Sequence, residues 1–537
     1  MAFRNIAISS FWTNPLYFWS FYLPKLAISA LLGSLVFLFR RKYWTIYVSV
    51  IINLWILAEV VYYRSTWVFI TADSFVLLKE LHGFESSIEM YMTPDLLLLL
   101  IPTLLLIVAV VLFDNRNRSL PAFVSVLVCS VGMDVVGCNA VARQIYPDEK
   151  HWYFSCYQTN FCSGLFLWNP TECAVRFVSV LHSFYYTVVD LACKPFAKPM
   201  ELTAADIETA KAFCDTTYTS VTPSHPLILV LVESLEGWAV RPDIMPNLYR
   251  FVQQHNVVYA SHTKSQTLAG NSADGQMLFN TGLMPLREGV VVNDYSQNTF
   301  PSLSEIYSRS AMIQPGDLGI WNQFVMNVSY SIDTAYQVIS SLDGESFQVL
   351  DSISKEYNYV LLITAASHTP FAYGAQHRSL SLPAGMPENM QNYLQCIHYT
   401  DSCWGGLLQR IDTDSVLHNS VVCFMGDHII FDPIMRQGFQ DYCDDNGLDY
   451  KPREAYTAFV AYSPELTQSV VVDEETYQMD AYPTILHLIG AENYYWKGFG
   501  VNLADTTAVS HRAVTEQEAY NVSEKLIRSD YFRRVKR

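Results

Sequence analysis

The sequence predicts two structural classes in one chain: an N-terminal multi-span helical membrane domain, then an extracytoplasmic doubly wound α/β domain. Three observations carry this. Four long, nearly uncharged apolar segments crowd the first 138 residues. Short apolar runs alternate with helix-compatible stretches from about residue 221 onward, the pattern of a parallel sheet crossed by helices. Three of those runs end in polar, metal-competent or catalytic side chains, and ligands in open α/β sheets bind just outside the carboxyl ends of the strands.

Composition sets the outer limits. Charged residues make up 16% of the 537 and hydrophobic ones 51%, a bias that indicates membrane-embedded sequence. A net charge of −17 argues against nucleic acid as a partner. The eleven cysteines show no zinc-ribbon spacing. Cys156, Cys162 and Cys173 cluster after the last span, which leaves one disulfide or reduced buried thiols both open.

The membrane part comes first. Residues 1–24 are aromatic-rich, like an interfacial belt, and no cleavable signal peptide is visible. Leu23–Phe39, Tyr43–Tyr63, Leu96–Phe113 and Leu120–Cys138 each approach the ~20 residues that cross a bilayer. Arg40-Arg41-Lys42 and Arg116/Arg118 lie in the short loops, and the positive-inside rule puts both loops in the cytoplasm. The chain beyond about residue 139 is then outside. These segments define a domain over 1–138 and a juxtamembrane connector over 139–220 in which Ala174–Ala192 reads as an interfacial helix. The catalytic candidate spans 221–505. Residues 506–537 form a basic tail, open between attraction to anionic lipid and a frayed solvated end.

Within 221–505 the chemistry gathers at strand ends. The run Pro226–Val232 delivers Glu233, a hard oxygen ligand. Met245-Pro246-Asn247-Leu248 starts a helix, with proline where its missing N–H is harmless. Ala269-Gly270-Asn271-Ser272 precedes a helix-compatible run, which places Ser272 at a helix amino terminus. Dipole and free N–H groups there favour an alkoxide and an incoming phosphate; an ordinary capping serine has the same signature. Tyr359–Thr364 leads to His368, a candidate proton donor or phosphate contact. Ser420–Phe424 leads to Met425-Gly426-Asp427-His428, adjacent oxygen and nitrogen ligands for a divalent ion.

Taken in order, Glu233, Met245-Pro246-Asn247-Leu248, Ser272, His368-Thr369-Pro370-Phe371, Gly426-Asp427-His428 and Asp480-Ala481-Tyr482-Pro483 resemble the alkaline phosphatase/sulfatase superfamily. Within it, the chain is similar to the membrane-anchored lipoteichoic acid synthase and phosphoglycerol transferase branch. The resemblance implies an alkaline-phosphatase-like fold and one divalent ion, manganese or magnesium with zinc as the alternative, held by Glu233, Ser272, Asp427 and His428. It implies Ser272 as nucleophile, where the branch generally has threonine, and His368 on the bound headgroup. It further implies a phospholipid donor, a glycan or lipid acceptor, and a site outside a bacterial inner (plasma) membrane.

The match has departures. Trp321-Asn322 fits the branch's Trp-Asn-Arg headgroup motif, but Gln323 stands in the arginine place, and Gln314 stands where histidine is common. Two neutral amides for two potential cations weaken recognition of anionic phosphoglycerol and bring phosphoethanolamine into range. Ser272-Ala273-Asp274-Gly275-Gln276 lacks the Cys- or Ser-x-Pro-x-Arg pattern of a formylglycine sulfatase, which argues against sulfate-ester hydrolysis. A phosphodiesterase or phosphatase, and a catalytically silent binding protein, remain the competing classes.

Overall fold

The computed structural model describes residues 43–66, 69–71, 85–113, 119–145, 201–214 and 221–534, apart from 288, 317, 320, 321, 341 and 506, together with scattered positions at 23–38, 74–75 and 187–192. Two compact units divide it, Met1–Lys198 and Pro199–Arg537.

In the first unit, α1 (Tyr43–Thr66), α2 (Ile101–Phe113) and α3 (Leu120–Ile145) follow the apolar segments. Two stretches, Ile46–Ser65 and Leu120–Gly137, are long and apolar enough to cross a membrane. The segment expected at Leu96–Phe113 is divided: Pro94–Leu100 is a 3-10 helix and only Ile101–Phe113 is α-helical. Four spans are therefore not established among the described residues. Much of Leu23–Phe39, all three cysteines of the 156–173 cluster and most of Ala174–Ala192 lie outside those residues. Glu59, the one acidic residue in α1, is fully buried and accepts the Ile70 N–H at 2.9 Å, so its cost in an apolar setting is offset by pairing.

The second unit is built on a nine-stranded mixed sheet in the order β4-β3-β5-β1-β6-β7-β2-β8, with β9 beside β2. The strands are β1 (Leu227–Val232), β2 (Val257–Lys264), β3 (Ser310–Pro315), β4 (Thr334–Val338), β5 (Tyr359–Ile363), β6 (Val421–Gly426), β7 (Tyr456–Tyr462), β8 (Val470–Val472) and β9 (Thr476–Tyr477). Every residue of β1, β5 and β6 is buried, as continuous Val/Ile/Leu runs require when both faces are covered. β1 is central, parallel to β5 on one side and to β6 on the other, with Val232 level with Gly426. That register puts Glu233 beside Asp427. β7 runs antiparallel to β6, so its first residues return to the edge where β6 ends.

Six helices used below are α4 (Ala204–Lys211), α5 (Pro246–Gln254), α6 (Ser272–Thr281), α7 (Gln323–Ser329), α8 (Asp343–Ile353) and α9 (Glu388–Arg410). Three more are α10 (Pro433–Asp445), α11 (Ala481–Leu488) and α12 (Glu516–Arg528). Proline opens α5 as expected. The unit extends past the expected 221–505 at both ends. Cys214 bridges to Trp496, and Asp206 on α4 pairs with Lys525 on α12 at 2.6 Å. The basic tail is thereby corrected: residues 516–528 are a helix with Ala519, Tyr520, Leu526 and Ile527 buried, and Arg528 is paired with Glu524. Its apolar stripe was masked by the surrounding charges, and packing rather than propensity decides such a helix.

Candidate metal and phosphate site

Glu233 directly follows β1 at 4% exposure, and its N–H is held at 2.9 Å by Oγ1 of Thr364, just past neighbouring β5. Ser234 takes φ 52°, a left-handed conformation rare outside glycine. The turn is sustained by Asp427, whose Oδ1 accepts the Ser234 N–H and the His428 N–H, both at 2.7 Å. Asp427 Oδ2 is buried and no well-aligned hydrogen bond reaches it. A carboxylate oxygen left in that state costs free energy unless a cation completes it.

The His428 ring donates from Nδ1 to the Ile429 carbonyl at 3.1 Å. Nε2 then faces Glu233 Oε1, 3.6 Å away, and Asp427 Oδ2, 3.5 Å away. Fixing the tautomer through the other nitrogen is how proteins aim a histidine at a metal. Ligand atoms from Glu233, Asp427 and His428 all fall within 4.8 Å of one another. Burial, and then the Glu233 charge, pushes the Asp427 carboxyl up to about 6. Burial works against charge on His428, yet Asp427 and Glu233 outweigh it and raise its proton affinity. Two crowded carboxylates, an aimed imidazole and an unpartnered oxygen fit a divalent cation.

Ser272 is the first residue of α6, and its Oγ lies 3.5 Å from Glu233 Oε2. Asn271 before it has φ 41° and ψ −114°, a backbone state that turns the chain sharply into the helix. Asp274 Oδ2 holds that loop by accepting the N–H groups of Leu268 and Gly270 at 2.9 and 3.0 Å. α6 comes so close to β6 that a Cβ on Gly275 would stand 2.8 Å from the Asp427 carbonyl oxygen. The four expected ligand residues are thus brought to one place.

The other expected residues surround this centre unevenly. His368 follows β5, half-buried, its Nδ1 donating to the Thr369 carbonyl at 2.7 Å, and Ser367 donates to the Glu233 carbonyl at 2.6 Å. Gln314 is buried at the carboxyl end of β3. Asn322 reaches Asn293 Oδ1 at 2.6 Å. Gln323 is buried and locked in a reciprocal amide pair with Gln276 at 3.0 and 3.1 Å, with Asn327 accepting at 2.9 Å. Trp321 lies outside the described residues.

Several supporting groups escaped the sequence reading. Gln478 donates to the carbonyls of Gly426 and Asp427 at 2.8 and 2.7 Å, and its own oxygen accepts the Gln266 N–H. Asp480 lies in a motif that resembles the family but is taken by Arg512 and the Tyr477 and Val501 N–H groups. Fully buried Glu236 forms a fork with Arg436, at 2.6 and 2.8 Å, and accepts the Ile430 N–H. The pair ties the loop after Glu233 to the loop after His428. No local signal could reveal this, since the partners are separated by hundreds of residues or sit in unremarkable sequence. Arg436→Met should cost on the order of 3–5 kcal/mol, because it strands the buried Glu236 charge; urea denaturation at neutral pH measures it.

Asp343 braces the His368 loop by accepting from the N–H groups of Ala365 and Ala366 and from Thr400 Oγ1, at 2.7, 3.1 and 2.6 Å. Burial pushes its carboxyl from an ordinary 3.8 to about 6. A folded-state value above the unfolded one means stability present at low pH and lost as pH rises toward 6. Asp343→Asn should remove that loss, worth up to about 3 kcal/mol, so the variant gains on the wild type between pH 4 and 7 in paired thermal melts.

Residues 226–491 match the family described as Sulfatase, and residues 1–161 match the lipoteichoic acid synthase N-terminal domain. The chain belongs to the alkaline phosphatase/sulfatase superfamily. This sulfatase-superfamily chain is 23% identical to lipoteichoic acid synthase 2 of Bacillus subtilis, over 54% of its own length and 48% of the relative's. It is 24% identical to lipoteichoic acid synthase of Staphylococcus saprophyticus, over 44% and 40%. The chain spans about half the length of the curated relatives it matches. Among solved structures it is similar to the lipoteichoic acid synthase LtaP from Listeria monocytogenes, at 20% identity, 56% and 81% coverage and a TM-score of 0.47. Streptococcus pyogenes phosphoglycerol transferase GacH shares 13% identity, with 62% and 95% coverage and a TM-score of 0.42.

Proposed function

We propose that this protein is a membrane-bound, metal-dependent phosphotransferase that moves a phospho-alcohol headgroup, phosphoglycerol or phosphoethanolamine, from a phospholipid to an envelope glycan or lipid acceptor. Its large domain works on the extracytoplasmic side of a bacterial inner membrane. The observation that carries the reading is Ser272 Oγ at a helix amino terminus, 3.5 Å from Glu233 within the Glu233–Asp427–His428 cluster.

The residues assign themselves to roles. Glu233 Oε2 receives the Ser272 proton as Oγ attacks phosphorus. An Oγ–P bond forms, the bond from phosphorus to the diacylglycerol oxygen breaks, and that oxygen leaves with a proton for which His368 is the candidate donor. The phosphoryl-headgroup then passes to an acceptor hydroxyl: a new O–P bond forms as the Oγ–P bond breaks, the acceptor's proton goes to His368, and Glu233 returns its proton to Ser272 Oγ. The amino terminus of α6 stabilises the negative oxygens throughout. A divalent ion held by Glu233, Asp427, His428 and Ser272 would lower the hydroxyl pKa and neutralise phosphate charge. Manganese or magnesium suits the two carboxylates; zinc also accepts the imidazole.

Phospholipid labelled in its headgroup tests the reading with the full chain in vesicles. Diacylglycerol together with labelled acceptor is the expected result. Free headgroup phosphate without labelled acceptor would make the protein a hydrolase, and no turnover in a metal-loaded protein would leave a binding role.

A further inference from the structure

The short helix α7 is built inside out. Its polar residues Gln323, Asn327 and Ser329 are buried together with Met326, whereas Phe324, Val325 and Val328 face outward. Phe324 and Val328 are four residues apart, hence on one face. They are 59% and 73% exposed, and Ile339, just past β4, is 94% exposed. Leu342 follows, also exposed. A helix normally turns such residues to the core. Here the inward face holds the Gln276–Gln323–Asn327 amide network beside Met326, and Phe324, Val325 and Val328 are left on the outside.

Charge distribution indicates what meets this face. From Leu318 to Leu342 the sequence holds a single charged residue, Asp333, and neither lysine nor arginine. Asp333 lies at the amino end of β4 and pairs with Ser310 at the start of β3, at 2.8 and 2.9 Å. Ile339 and the start of α7 lie at the opposite end, because β3 and β4 are parallel and the Gly316 N–H after β3 bonds the Val338 carbonyl at 2.8 Å. That end is the carboxyl edge that also carries Glu233 and His368. Meanwhile the same chain bears two helices apolar enough to cross a membrane, which keeps a bilayer at high effective concentration. An aromatic-bearing apolar face suits acyl chains and the headgroup boundary, and that tethered bilayer is the apolar partner nearest to hand.

We propose that the outer face of α7, with Ile339 and Leu342, forms a lipid-docking surface that seats the large domain on the bilayer with its carboxyl edge toward the membrane. Docking there brings the ester phosphate of a bilayer lipid to the site without full extraction of its chains. The proposal stands on the surface itself and holds whether the site transfers or hydrolyses.

Photocrosslinking reads it directly. p-Benzoylphenylalanine replaces Val328, Ile339 or, as control, exposed Val471 on edge strand β8 at the other side of the sheet. The full chain is placed in phosphatidylglycerol/phosphatidylethanolamine vesicles whose acyl chains carry an alkyne tag. Lipid adducts at 328 and 339 and none at 471 are expected, with Ser272→Ala in the same chain giving the same pattern because turnover is not needed. Absence of lipid adducts at 328 and 339, or chain-to-chain adducts in their place, overturns it.

Discussion

Ser272→Ala should abolish headgroup transfer while leaving the protein folded. The change deletes one half-buried oxygen that approaches Glu233 at 3.5 Å and lies against the Asp427 carboxylate, and it keeps the helix start, since the loop is held by Asp274 rather than by the serine. Loss of the nucleophile removes the covalent route, for which a drop on the order of 10⁴-fold in kcat is expected. Three measurements belong together: turnover of labelled phospholipid, thermal midpoint, and mass of the trapped enzyme. The wild type should carry a phospho-headgroup adduct on Ser272 and the variant none. Wild-type turnover in the variant would sink the nucleophile assignment.

Asp427→Asn should separate metal binding from folding. The new side chain keeps an oxygen for the Ser234 and His428 N–H groups and replaces the unpartnered Oδ2 with a neutral amide. Substitution of groups that merely support a ligand weakens metal affinity by about 10–100-fold; replacing a carboxylate ligand itself should exceed that. Without metal the outcome reverses. The variant no longer buries a second negative charge beside Glu233, the repulsion that with burial lifts the Asp427 carboxyl to about 6, so it should melt at or above the wild type. Adding manganese should raise the wild-type midpoint, because a ligand that binds only the folded state stabilises it, and should leave the variant nearly unmoved. A variant that still gains stability with manganese would remove Asp427 from the ligand set.

Much of this site was legible from order along the chain. Glu233, Ser272, Asp427 and His428 each follow a strand or open a helix, and those local signals are strong because periodicity and turn residues are local. Gln323 shows the limit of that method. Aligned on a motif it reads as a headgroup contact, yet its amide is spent on Gln276 and Asn327. The Glu236–Arg436 fork and the Gln478 clamp are invisible for the same reason: each partner looks ordinary until the fold excludes water from between them.

By itself the sequence determined the class of fold, the strand ends that carry chemistry and the apolar segments near the amino terminus, because hydrophobic period and chain order are properties of short windows. Only the tertiary structure decided that β1 and β6 are neighbours in matched register, that one oxygen of Asp427 is left without a donor, and that α7 turns its apolar side outward. Those depend on which distant residues share a dry interior, and free energy there is set by pairing across the chain rather than along it.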